Sequence, residues 1–484
     1  MNTKLTKLIC LCLVVVMTLT VFAACNIVEV TSASTTDAVT EEPTTEAKAD
    51  ETTTADETTA LEETSEDTTV ESTSSTETTT EEETTTEEIT TSYMESLGLK
   101  AENLNDVMQN IFAGTQVKEE TVFVIDKGET RKLLYPATEI VSVTNYYGDI
   151  TYVEGVDYVL DNGGIKILEG SSINAITSEV YYNPDNQTIQ VKTDSGNKWV
   201  YWGEGHAMVQ HQIRVTYNHE STWAGFTQDT NAATYESVIK KLAAGEDVTF
   251  IFYGDSITCG ATSSWFSGYA PYQYSYSMLF TNAIADLFGY TVNYIDVSEL
   301  HPGMIKPTPE PYVAGTNGTI TYINPSVGGW TSANGVSNFD TFVKPYIEEY
   351  GCDLFAVAFG MNDAGIAPAT TGENLKSILS SVHALDSDAA GMIVTTMVPN
   401  NLATNGWYGN QDKQEAAMKK IANQLKAAGM PTAITKMTSM SLSVLEYKEF
   451  LDYTGNNINH PNDFFNRIYA QTLLQSFIGY ENLK

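Results

Sequence analysis

Basic residues are scarce in this chain. Its 484 residues carry 25 Lys and Arg against 62 Asp and Glu, a formal charge of −37. That balance excludes general affinity for nucleic acid, which needs a basic surface. Cysteine is scarce too. Of five, Cys10 and Cys12 fall in an N-terminal apolar run and Cys25 follows it, leaving Cys259 and Cys352 for the folded part. Two cysteines in so long a chain exclude a disulfide scaffold. There is no internal repeat and no glycine-rich phosphate loop. His206, His211 and His219 match no metal-ligand spacing, so neither cofactor nor metal is expected.

The one long apolar run, Leu8–Phe22, follows Lys4 and Lys7 and ends in Ala23-Ala24-Cys25. It is short for a membrane span and reads as a secretory signal over residues 1–24. Phe22-Ala23-Ala24-Cys25 resembles a bacterial lipobox, which implies lipidation of Cys25 and a cell-surface lipoprotein touching the membrane only through that anchor; plain secretion is the alternative. Residues 25–92 are then a tether of Thr, Glu, Ser and Ala. Between Asp37 and Glu88 the acidic residues face a single lysine, Lys48, and supply about half of the net charge. With so little apolar surface to bury and so much self-repulsion, this stretch is expected to stay extended.

Composition changes after the tether. Residues 93–230 read as a helical lead-in (93–116) and then short β runs: Val122–Ile125, Ile140–Thr144, Tyr158–Leu160, Ile165–Leu168, Val180–Tyr182, Ile189–Lys192 and Ile213–Tyr217. Turn signals such as Asp161-Asn162-Gly163-Gly164 separate them, a pattern that predicts an all-β sandwich. Residues 231–484 instead alternate strands with helices, which predicts an α/β fold: a parallel sheet with helices on both faces and right-handed crossovers. If Cys259 follows one strand of that sheet and Cys352 precedes its neighbour, they stand roughly 20 Å apart and remain free thiols.

The chemistry gathers at strand ends. Val248–Tyr253 is a buried-strand run that stops at Gly254-Asp255-Ser256. Gly328-Gly329-Trp330 follows the strand over 319–324, and Gly360-Met361-Asn362-Asp363 follows Leu354–Phe359. In a parallel sheet these blocks converge on one carboxyl edge, where ligands bind. Acyl transfer needs that geometry: a hydroxyl (Ser256), a base (His460, in Asn457-Ile458-Asn459-His460), and donors for the oxyanion. The Ser256 and Gly329 N–H groups and the Asn362 amide can supply the donors. Trp265, Trp330 and Asp255 flank these blocks and are candidates for substrate contact.

These four blocks resemble those of the SGNH (GDSL-type) hydrolases, over about residues 247–484. The resemblance implies a flavodoxin-like sheet and ester hydrolysis. A β-sandwich ahead of such a domain also resembles two-domain carbohydrate acetylesterases, which implies an acetylated polysaccharide or oligosaccharide as substrate. A carbohydrate-binding lipoprotein with a vestigial hydrolase domain, and a lipase or lysophospholipase of the same fold, are the alternatives. One departure is visible. The family usually has Asp three residues before the histidine, and here position 457 is Asn. Asp452 and Asp463 are the nearest possible triad acids; the expectation is a Ser–His dyad in which a backbone carbonyl near Asn457 accepts the ring N–H.

Overall fold

The computed structural model describes residues 96–100, 103–183, 188–193, 196–299, 308–400, 407 and 409–479, with backbone alone at 188–190 and for much of 191–198. The signal run, Cys25 and the Thr/Glu tether lie outside the described residues. Everything described falls in one compact unit. No helix among these residues is long and apolar enough to cross a membrane.

Eight strands come first: β1 (Gln116–Phe123), β2 (Thr130–Arg131), β3 (Ala137–Asn145), β4 (Tyr158–Asp161), β5 (Gly164–Ile167), β6 (Thr188–Thr193), β7 (Gly196–Tyr201) and β8 (Gln212–His219). They form antiparallel sheets ordered β1-β8-β3 and β2-β5-β4 and a β6-β7 hairpin. The Asn162-Gly163 turn joins β4 to β5 with both residues at positive φ, the geometry that matches strand twist in two-residue hairpins. One expectation fails here and another is met only in part. Residues 178–181 form a helical turn capped by the Thr177 hydroxyl, not a strand. Of the expected helical lead-in, residues 93–95 and 101–102 lie outside the described residues. Ser96 is helical, a three-residue 3₁₀ turn follows at Asp106–Met108, and most of the rest of the described part is irregular. Its apolar residues Leu104, Met108 and Ile111 are buried as an irregular segment against the core.

Seven strands follow: β9 (Val248–Gly254), β10 (Thr291–Tyr294), β11 (Tyr312–Val313), β12 (Thr319–Ile323), β13 (Leu354–Ala358), β14 (Ala390–Val394) and β15 (Thr432–Thr435). Their order is β11-β10-β12-β9-β13-β14-β15, with every pair parallel except β10-β11. The fold is therefore α/β with a mostly parallel sheet preceded by antiparallel sheets. From β9 the chain builds to one side and then crosses to the other, so the carboxyl end of β9 is a topological switch point.

β9 shows why the sheet needs cover on both faces. All seven of its residues are buried, and a strand's period of two splits them. Phe250 and Phe252 join one core cluster with helices Tyr276–Phe288 and Asp463–Ile478. Ile251 and Tyr253 join another with helices Ser332–Phe342, Pro368–Leu385 and Gln411–Ala427. Helix Asp463–Ile478 is buried along its whole length, because its other side carries the antiparallel region: Arg467 donates to the Lys118 and Glu119 carbonyls at 2.9 and 2.8 Å. A fully buried ion pair, Lys448 with Glu120, adds a second tie between β1 and the segment after helix Met437–Leu445.

Candidate active site

Ser256 is the first residue of a one-turn helix, Ser256–Cys259, that begins where β9 stops. The Asp255 carboxylate caps that helix, accepting from the Ile257 N–H at 3.0 Å. Gly254 is required by the packing: a Cβ there would stand 2.4 Å from the Ala358 carbonyl of β13. The strand-to-helix turn thus holds the Ser256 hydroxyl at the sheet's edge. Its N–H sits in the first turn of a helix, where no intrahelical acceptor exists.

The other donors arrive on neighbouring loops. After β12, Gly328 passes beside the serine; a Cβ on Gly328 would lie 3.8 Å from that of Ser256. Gly329 has φ +77°, a left-handed conformation that glycine adopts without strain, and faces open space. After β13, the Asn362 amide donates to the Trp330 carbonyl at 3.0 Å, leaving its second N–H for another acceptor. Asp363, fully buried, accepts from the Ser332 N–H at 2.9 Å and ties this loop to the helix that follows the Gly-Gly turn.

His460 reaches the same place from the opposite side. Its Nε2 lies 2.9 Å from Ser256 Oγ. The loop that carries it is built around Asn456, whose side-chain oxygen accepts from the N–H groups of Ile458, Asn459 and His460 at 2.9, 3.0 and 3.1 Å. Its Nδ1 faces a residue that the sequence reading missed: Glu204 Oε1, 3.0 Å away. Glu204 stands on the loop after β7, half-exposed, in the antiparallel region. Burial alone would push its carboxyl up, but the charge of His460 and hydrogen bonds from His460 and Asn456 outweigh it and hold the group below the usual carboxylate range. No local motif marks this residue.

The expected acids are elsewhere. Asp452 belongs to the 3₁₀ turn Phe450–Asp452, which aims its carboxylate at β1, where it accepts from the Phe123 N–H at 2.8 Å. Asp463 accepts from the Ser264 N–H at 2.9 Å and is buried; Asn462, not Asp463, caps the closing helix. The Asn457 carbonyl accepts from the Asn400 amide rather than from the imidazole. Asp255 likewise is a buried helix cap; burial is the main cause that pushes its pKa up to about 7, and Asp363 adds to it. Trp330 is half-buried, edge-on to Phe342 at 5.1 Å. Trp265 packs against Tyr274 and lines a cavity with Cys259, Met278, Tyr294 and Asp296. Cys259 and Cys352 are both buried, free thiols.

No family model and no curated protein matches the sequence. Among solved structures the chain is similar to a two-domain esterase (CEX) active on acetylated mannans, with 19% identity and a TM-score of 0.36 over 52% of this chain and 53% of that one. The chain thus spans about half the length of that esterase. It is also similar to Axe2, an acetylxylan esterase from Geobacillus stearothermophilus, with 15% identity and a TM-score of 0.33 over 49% of this chain and 96% of that one. A GDSL-like lipase from Parabacteroides merdae gives 15% identity and a TM-score of 0.32 over 48% and 95%. The neighbours named here are two esterases and a GDSL-like lipase. At such scores they carry no argument about activity, which rests on the residues described above.

Proposed function

We propose that this protein is a serine esterase that removes acyl groups, acetyl in particular, from carbohydrate. The observation that carries the reading is the 2.9 Å contact between Ser256 Oγ and His460 Nε2 at the carboxyl edge of β9. The imidazole takes the hydroxyl proton as Oγ attacks the ester carbonyl, then returns it to the departing sugar oxygen; water repeats the cycle on the acyl-enzyme. The Ser256 and Gly329 N–H groups and the free N–H of Asn362 are the donors for the tetrahedral oxyanion. A vestigial site would have no reason to keep a nucleophile, base and donors on four separate loops. The exposed ring of Tyr272, on the segment after the nucleophile helix, offers a flat apolar face that suits a sugar better than a long acyl chain. Hydrolysis of p-nitrophenyl acetate and of acetylated xylan, with Ser256→Ala as control, tests the reading; activity on long-chain esters alone would contradict the carbohydrate assignment.

Cys25 is part of the same proposal, as the lipid-bearing residue of a surface-anchored enzyme whose acidic tether gives the domain reach. The lipobox-like run Phe22–Cys25 supports it. In cell fractionation, Cys25→Ser should move the protein out of the membrane fraction, and a chain beginning at residue 93 should be soluble and active. A Cys25→Ser protein that stays with the membrane contradicts the anchor.

A further inference from the structure

We propose that Glu204, on the loop after β7, is the positioning residue for the His460 imidazole, so that the antiparallel region completes the proton path of the nucleophile. This rests on the reading of Ser256 and His460 as nucleophile and base. An imidazole that accepts from a serine at Nε2 must carry its proton on Nδ1, and that N–H needs an acceptor to fix the tautomer and the ring plane. Two groups stand at Nδ1: Glu204 Oε1 and the Asn456 amide nitrogen, each at 3.0 Å. An amide N–H cannot accept, so the Nδ1 proton goes to Glu204. The Asn456 amide donates to the same carboxylate oxygen at 2.9 Å and aims it at the ring.

Asn457 explains why the acid has moved. Its φ of +63° places it in the left-handed region, which Asn tolerates. Its amide donates to the Tyr201 carbonyl at 2.7 Å and to the Tyr181 hydroxyl at 2.8 Å, while its oxygen accepts from Asn400 at 2.9 Å. An aspartate here would turn carboxylate oxygens onto the Tyr201 carbonyl. The position at which the family resemblance leads one to expect an acid instead holds the loop that brings an acid from elsewhere. Two further bonds fix that loop: the Gly203 N–H donates to the Asn456 carbonyl at 3.2 Å, and the Tyr269 hydroxyl donates to the Gly205 carbonyl at 3.4 Å. Two further titratable groups couple to this pair: Asp255 to the charge of His460 and Tyr269 to that of Glu204.

The test is steady-state kinetics of the full chain on p-nitrophenyl acetate, comparing wild type, Glu204→Gln, Glu204→Asp and Ser256→Ala. Glu204→Gln should lower kcat by about 10²-fold. That is less than the ~10⁴-fold for a buried triad acid, because half of this side chain meets water. KM should stay within about threefold, and the acidic limb of the pH–rate profile should move to lower pH, since an imidazolium without its carboxylate is less stable. Glu204→Asp should restore part of kcat and the position of the limb. A Glu204→Gln enzyme with kcat within tenfold of wild type and an unmoved limb overturns the assignment. If Ser256→Ala is inactive in that case, the esterase reading stands without it. If Ser256→Ala is active, the reading itself falls, and this proposal with it.

Discussion

Ser256 and Glu204 stand on either side of one imidazole, yet they come from opposite kinds of structure. Ser256 is placed by a buried parallel strand whose seven residues admit a single register, and its helix cap and glycine turn are written in consecutive residues. Glu204 is placed by docking. It sits beyond a short hairpin strand, and what holds it is side chains 250 residues later in the chain, Asn456 and Asn457. A nucleophile elbow is local chemistry; the matching acid is a tertiary contact.

The largest expected effect tests the local half. Ser256→Ala should leave only the ~10³–10⁴-fold acceleration over water that binding and oxyanion donors give, with an unchanged melting temperature. An alanine variant with near-normal turnover would remove the serine from the chemistry.

The docked half is probed next. Lys448 and Glu120 are both at or below 1% exposure and paired across the two regions, and the ammonium also donates to the Thr121 carbonyl at 3.1 Å. Removing one member of a buried pair strands the other, so Lys448→Ala should cost about 3–5 kcal/mol in denaturant unfolding. If the antiparallel region holds Glu204 against His460, kcat at temperatures where the variant remains folded should fall as well. Lost stability with unchanged kcat would uncouple the two regions.

The same contrast explains what was legible beforehand. The alternation of strands with helices from β9 on followed from apolar runs and helical periodicity, though the two-residue antiparallel β11 did not. Three of the four blocks could be assigned to one edge because each trails a buried strand, whereas the His460 block follows no strand. Where turn chemistry is explicit, as at Asn162-Gly163, the antiparallel hairpins were legible too. Val180–Tyr182 misled because a Thr cap and a helical turn compete with a β-branched run over so few residues, and tertiary contact decided. Asp452 and Asp463 misled because nearness in sequence to His460 says nothing about direction: each carboxylate points to a backbone N–H on another segment. Glu204 had no local signature to read.

A smaller effect separates the Asp255 cap from the catalytic groups. Its folded pKa, about 7, lies above the ordinary carboxylate value, so the folded state binds more protons between roughly pH 4 and 7 and stability falls as pH rises across that window. Asp255→Asn keeps the acceptor for the Ile257 N–H and abolishes the titration. Melting temperatures from pH 4 to pH 8 should therefore decline less steeply in the variant than in wild type; equal slopes would mean that the carboxyl is ionised throughout.

The central claim is that Ser256 is a nucleophile activated through His460 by a carboxylate from the antiparallel region. Timed peptide mass spectrometry with an organophosphorus fluoridate, which traps an activated serine as a covalent adduct, reads each part. One adduct should form, on the peptide containing Ser256, absent in Ser256→Ala and forming at least tenfold more slowly in Glu204→Gln. An adduct on another residue, or labelling of Ser256 at the same rate without the Glu204 carboxylate, would contradict it.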